Sequence, residues 1–381
     1  MKYLYRVTSF LSIPIQLGNT FANAMVKLAE RSSRPVIIWL YTGVAMLFVQ
    51  VVLGGITRLT GSGLSITEWN VVTGFLPPLH QGQWLTEFEK YKQTPQYFLL
   101  NTDFTLPDFK FIFFWEWLHR FWARLIAMAF AIPFVTFLIQ KRFSTEMIRP
   151  LIVLFLLGAL QGAIGWIMVA SGLSGDAVYV KPTRLALHFI FALGLISYAF
   201  WFALQLSVPR SQKIINNNLQ QWTIVIIVIL FFQLIYGALM AGHKAATAAP
   251  TWPLINGSWL PGFMFKGSPG IISFIENKIT IHFIHRSLAY LLLACTFVWT
   301  IKAIQVHTGS MYFNKSRWLP AALIIVQVLL GILSVLTSTS ITPNQWGTFE
   351  WTAQGHQITG MSYLLVLVWM MHICKFENVR R

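Results

Sequence analysis

Eight long apolar runs dominate the 381-residue sequence, at about 35–57, 112–138, 149–171, 185–206, 221–241, 280–303, 317–338 and 353–374. A helix needs roughly 20 mainly apolar residues to cross a bilayer. Runs of this length and even spacing leave no place for a chain of soluble domains. Only 10% of the residues are charged, where soluble proteins average about 25%. The expected fold is therefore an all-α integral membrane protein of eight transmembrane helices. None of the runs resembles a cleaved signal peptide, because the first is too long and lacks a small-residue cleavage site.

The net charge of +16 is spread along the chain and not massed on one segment. That distribution argues against nucleic acid as a partner and for membrane lipid, whose anionic head groups attract basic segments. With the N-terminus inside, the inner segments carry 16 basic residues against three acids, and the outer segments nine against eight. The excess of inner Lys and Arg places both termini in the cytoplasm. Cys295 and Cys374 sit within apolar runs, so they read as small packed hydrophobes and not as a disulfide framework.

Residues 1–34 read as a basic cytoplasmic arm, part of it lying along the membrane surface, and 35–206 as a first four-helix unit with a long outer loop at 58–111. A cytoplasmic linker at 207–220 leads to a second four-helix unit at 221–374 and a tail at 375–381. The outer loops at 58–111 and 242–279 are long enough to cap the membrane face.

The two units repeat one another. Glu116-Trp117-Leu118-His119-Arg120 answers His282-Phe283-Ile284-His285-Arg286, and 42 residues separate His119 from Gln161 as they do His285 from Gln327. Two bundles entered from the same side should be related by a pseudo-twofold axis along the membrane normal. A smaller pattern marks every outward-running helix: Gln50 and Gly54, Gln161 and Gly165, Gln233 and Gly237, Gln327 and Gly331. Residues four apart share a helix face. Gly admits a close neighbour and Gln bonds to one; alternatively, Gly clears space for a flat macrocycle and Gln faces the same cavity.

Each inward-running helix carries a histidine near its outer end: His119, His188, His285 and His356. One such histidine is ordinarily a hydrogen-bonding partner, but four at matched depth, two per unit, point to two facing pairs. Zinc and copper sites ordinarily add Cys or carboxylate ligands, and no Cys lies at this depth. A haem held between two imidazoles in each half fits the aromatic helices better. Arg120 and Arg286, each beside its histidine, are candidates to bind haem propionates; Arg58, Arg124 and Arg184 lie at similar depth. His80, His243 and His307 in loops and His372 at an inner helix end read as solvated.

Glu116 breaks the symmetry, since its counterpart is His282. An intramembrane carboxylate marks function by default. It serves either as an ion-pair partner of an arginine such as Arg120, or as a group that handles protons or charge beside a reacting ring.

The residues resemble the haem A synthase family. The resemblance rests on Gly54-Gly55-Ile56-Thr57-Arg58-Leu59-Thr60, Ser62-Gly63-Leu64-Ser65-Ile66-Thr67-Glu68-Trp69, Gly74-Phe75-Leu76-Pro77-Pro78 and Phe109-Lys110. Glu116 to Arg120, Ser171-Gly172-Leu173 and Trp252-Pro253-Leu254 complete it. It covers about 36–374, and the long first loop without a cysteine pair resembles the alphaproteobacterial and mitochondrial class. The run from His243 to Pro250 and Ala123, where the family often has Gly, depart from the usual pattern.

The resemblance implies a multi-pass enzyme of the cell inner membrane that oxidises a ring methyl of haem O to a formyl group. The route would be successive hydroxylation and dehydration of the gem-diol, giving haem A for cytochrome oxidase. It implies haem b as cofactor, its iron held by His285 and His356, and haem O, its iron held by His119 and His188, beside Glu116. An unidentified electron donor, haem O synthase, oxidase assembly proteins and a second copy of the chain are the partners it suggests. The alternatives are a di-haem b electron-transfer protein and a non-catalytic haem-delivery or assembly protein.

Overall fold

The computed structural model describes residues 12–68, 73–262, 264, 270–340 and 346–375, with side chains from residue 34 onward. Lys2, Arg6, Trp69, Glu377, Arg380 and Arg381 therefore lie outside the described residues.

The chain is helical almost throughout. The long helices are α1 (Ser12–Leu59), then, after short α2 (Gln81–Lys92) and α3 (Pro95–Leu100), α4 (Leu106–Ile139), α5 (Thr145–Ala170), α6 (Pro182–Ser207) and α7 (Asn217–Gly242). A single turn, α8 (Ser273–Glu276), precedes α9 (Lys278–Ile304), α10 (Met311–Ser316), α11 (Leu319–Leu336) and α12 (Thr348–Ile373). Among the described residues, seven helices are long and apolar enough to cross a membrane. The eighth run forms a helix of equal length, α12, but Glu350, Gln354, His356 and Gln357 dilute its apolar character.

Helix ends follow local chemistry. Pro at the first turn, where the missing N–H is not needed, opens α3, α4, α6 and α11. Thr105 caps α4 by a capping box with Asp108, whose carboxylate accepts from the Thr105 backbone N–H at 2.9 Å. α1 reaches back into the basic arm and carries Pro35 within it.

Within the first unit α1 packs on α4 and α6, and α5 on α6; within the second α7 packs on α9 and α12, and α11 on α9 and α12. The units meet where α6 touches α7 and α12, and where α1 touches α12. One dry core fills the end of the bundle away from the long loops, around Trp299, Tyr363, Leu204 and Ile226. There Trp299 Nε1 donates to Thr223 Oγ1 at 2.8 Å, which satisfies the indole inside apolar surroundings. A two-residue parallel pairing, β1 (Ile214–Ile215) with β2 (Cys374–Lys375), ties the linker to the end of α12.

The opposite end is capped by folded loops. Phe88 and Tyr91 of α2 stack on Phe109 of α4 at 5.0 and 5.3 Å, so the first long loop is a packed lid and not a free tether. Many remaining large side chains face outward, Ile152 and Leu156 among them, as a lipid-facing surface requires.

Candidate functional site

Each Gln–Gly pair grips one histidine of the neighbouring helix. A Cβ on Gly54 would stand 3.2 Å from His119 Cε1, on Gly165 2.9 Å from His188 Cε1, on Gly237 3.2 Å from His285 Cε1, and on Gly331 2.9 Å from His356 Cε1. The glutamine one turn earlier reaches the same ring: Gln50 Nε2 lies 3.2 Å from His119 Nε2, and Gln161 Nε2 3.1 Å from His188 Nδ1. Gln233 and Gln327 Nε2 lie 3.4 and 3.3 Å from Nε2 of His285 and His356. The glycines thus clear space for an imidazole, as in the first of the two readings, where Gly admits a close neighbour and Gln bonds to one. One device, used four times, sets the depth and direction of all four rings.

The two rings of the second unit face each other. His285 and His356 stand with ring centres 6.2 Å apart and planes inclined at 71°. That separation matches two metal–nitrogen bonds of about 2 Å each plus two ring radii. His285 Nδ1 is buried without a partner, and His356 Nδ1 donates to the Gln327 backbone carbonyl at 3.0 Å. His119 of α4 and His188 of α6 line one cavity. All four line one largely apolar cavity of about 1240 Å³. This exceeds the roughly 300–1,000 Å³ typical of a single small-molecule site. The donor sets and the space fit two iron porphyrins.

Glu116 is 3% exposed and fully engaged. Its Oε2 accepts from Ser65 Oγ at 2.7 Å and from the Ile66 backbone N–H at 2.9 Å, while Oε1 pairs with Arg120 at 2.5 Å. Arg120 also donates to the carbonyls of Ile66 and Glu68 at 3.1 and 3.0 Å. The pair therefore clamps the first outer loop over the first histidine pair, and both residues still line the cavity. Arg286 does the same for the third outer loop. It donates to the carbonyls of Thr251, Pro253 and Leu254, and its Nε donates to His282 Nε2 at 3.1 Å. Arg184 donates to the Ile167 carbonyl at 2.9 Å. Arg120 and Arg286, the arginines expected at propionates, also hold loop backbone.

The matched quartet of gripped histidines in a haem-sized cavity is what the comparisons with known proteins complete. Residues 37–346 match the COX15-CtaA family, described as cytochrome oxidase assembly protein. The sequence is 39% identical to the Heme A synthase of Flavobacterium psychrophilum over 90% of this chain and 98% of that protein. It is 40% identical to the Heme A synthase of Parvibaculum lavamentivorans over 88% of this chain and 92% of that protein. For the Heme A synthase of Paracoccus denitrificans the identity is 35%, over 94% and 93%. The chain belongs to the COX15-CtaA family.

As a COX15-CtaA member with apolar helices throughout, it is a multi-pass cell-membrane protein. Sequence reasoning passed over two features of its cavity. Glu350, 3% exposed in the first turn of α12, lines the cavity, as does Arg58. Arg58 comes from α1 and donates to the Ala241 carbonyl of α7 at 3.4 Å, so it bridges the two units. Gln354 and Gln357 of α12 bond to the Val52 and Val51 carbonyls at 3.2 and 2.8 Å across bare Gly55. In the sequence Glu350 counts among the acids of the outer segments, and only the first turn of a helix beginning at Thr348 brings it inside.

The lesser histidines also moved. His372 is fully buried, edge-on to Trp201 at 4.9 Å, and not solvated, because the β1–β2 pairing covers the end of α12. His243 bonds to the Ile275 carbonyl at 2.8 Å, and neighbouring Lys244 donates to Tyr179 Oη at 2.7 Å, joining the outer loops of the two units.

Proposed function

We propose that this chain is a haem A synthase in which the two histidine pairs divide the work. The single observation that carries the reading is the one cavity holding two equivalent histidine pairs, only one of which stands beside a carboxylate at the Glu116 position. The relatives named Heme A synthase align over nearly their whole length, so the activity belongs to the full chain.

On this reading eight spans form two four-helix bundles, 35–206 and 221–374, related by a pseudo-twofold axis along the membrane normal, with both termini cytoplasmic. The packing supports that symmetry: α1 meets α12 as α7 meets α6, and α6 meets α12 at the centre. His285 and His356 hold a resident haem b, which would supply one-electron redox chemistry. His119 and His188 hold haem O, the substrate whose ring methyl becomes formyl, with electrons and oxidant arriving from outside the chain.

The residues of the chain act by position. The helix walls and the two clamped loops exclude water from the cavity. The Gln–Gly grips fix the imidazoles. Glu116, held by Arg120, Ser65 and Ile66, places negative charge and a proton acceptor at the edge of the first pair. A preorganised charge of this kind needs no rearrangement when positive charge develops on the substrate.

The test is turnover. Purified protein given haem O and reductant forms haem A, read by extracted pigment; binding of haem O without conversion would assign the chain to haem delivery instead.

A further inference from the structure

The cavity does not extend equally beneath the two histidine pairs. In the second unit its lining stops at Leu230, three residues before Gln233, and at Leu292, seven beyond His285. In the first unit it runs on to Trp39, eleven residues before Gln50, and to Phe130, eleven beyond His119. The other two helices repeat the difference: the lining reaches Leu154 and Ala199 in the first unit but ends at Ile324 and Tyr363 in the second. At about 1.5 Å of rise per residue, the first unit carries a pouch roughly 6 Å or more deeper on every helix.

The repeat shows what fills the equivalent space. Counted from the glutamines, Gly43 corresponds to Ile226 and Gly158 to Ile324. Counted from His188 and His356, Leu195 corresponds to Tyr363 and Ala199 to Leu367. All four second-unit residues are buried, and Tyr363 is bonded to Thr296, so a solid floor closes that unit inward of its imidazoles. In the first unit a Cβ on Gly43 or Gly158 would meet nothing within 4 Å. The pouch walls are apolar, and the Trp39 indole N–H is taken by the Ala129 carbonyl at 2.8 Å. The pouch thus offers a guest space but no hydrogen-bonding group. The seam beside it is looser as well: α9 packs on α11, while α4 and α5 make at most passing contact.

Haem O carries a long isoprenoid tail where haem b has a vinyl group, on the ring edge opposite the propionates. A ring with its propionates toward Arg120 points that tail inward. Resting on the two haem sites proposed above, we infer that the pouch beneath His119 and His188 houses the isoprenoid tail of haem O, with Gly43 and Gly158 admitting it. The filled floor of the second unit refuses the same tail. Each site therefore selects its haem by the space inward of the imidazoles, and not by the iron ligands, which are alike.

The test uses full-length protein from cells that supply haem b but no haem O. It is titrated with haem O and, separately, with haem b, each followed by the Soret difference spectrum. Gly43→Ile with Gly158→Ile gives the first unit the floor of the second. Haem O affinity is expected to fall tenfold or more, since overpacking at two positions opposes the tail, while added haem b binds as in the parent. An unchanged haem O affinity, or an equal loss for both haems, overturns the inference. Resident haem b at the parental level shows that the variant folds. If it is lost, Gly43→Ala with Gly158→Ala is measured instead, with a several-fold loss confined to haem O expected and no such loss overturning the inference. If His119→Ala alone leaves haem O affinity intact, the assignment of the first pair fails, and the inference falls with it.

Discussion

Gly331 faces His356 so closely that a methyl group on it would lie 2.9 Å from Cε1 of the imidazole, and the same closeness recurs between Gly165 and His188. At Gly54 and Gly237 the corresponding gap is 3.2 Å. Each glycine is fixed by the ring it accommodates, and each ring is fixed by the glycine together with the glutamine one turn before it. The two helices of each contact cannot shift past one another without moving an imidazole.

Gly331→Ala is therefore expected to displace His356 and lower haem b content by tenfold or so, since overpacking of a tight contact costs about 1–3 kcal/mol. Gly237→Ala, with more room, should lose less. Pyridine haemochrome of the purified variants, compared at equal protein, checks the order.

Glu116→Gln keeps the size of the side chain and its capacity to accept from Ser65 and Ile66, but removes the charge that Arg120 pairs with. We expect haem b to stay bound and formyl formation to stop. Extracted pigment with haem A at normal yield would contradict the role of the carboxylate.

Arg286 holds the third outer loop through the carbonyls of Thr251, Pro253 and Leu254. Hydrogen bonds from a charged group contribute about 1.5–3 kcal/mol each when buried, less where solvent competes. Arg286→Gln should free residues 249–260 for cleavage by a protease added to the loop side, with cleavage at least several-fold faster than in the parent. Arg120→Gln should do likewise for the segment around Ile66 to Glu68. Equal cleavage rates would remove the clamp from the account.

Lys90 bridges Glu68 and Glu87 at 2.9 Å each, and these carboxylates hold its ammonium above the usual lysine range. Because the folded-state value is raised, the stabilisation is complete below the unfolded value and is lost as pH rises through the folded one. The group is about one-third exposed, so screening limits its worth to under about 1 kcal/mol. Lys90→Met should lower the melting temperature slightly at pH 7, and the difference should shrink above the ordinary lysine range.

The membrane class and the positions of the long helices were legible because apolar length is a strong signal; the predicted run at 185–206 became Pro182–Ser207 and that at 221–241 became Asn217–Gly242. The four histidines and the repeat spacing were equally plain, since identical intervals need no three-dimensional knowledge. Three things were not. Arg120 and Arg286 read as anion partners, and the loop carbonyls that they also hold are invisible in a one-dimensional pattern. The Gln–Gly pattern named a shared face without naming its neighbour, which is a histidine from the adjacent helix. His372 looked exposed at a helix end until a two-residue strand from a distant linker covered it.

The most direct test of the account is the haem content and absorption spectrum of protein made in cells that supply haem b but no haem O. The prediction is one haem per chain with a six-coordinate low-spin spectrum, lost in His285→Ala and in His356→Ala and kept in His119→Ala and His188→Ala. Haem b retained after His356→Ala, or lost after His119→Ala, would contradict it.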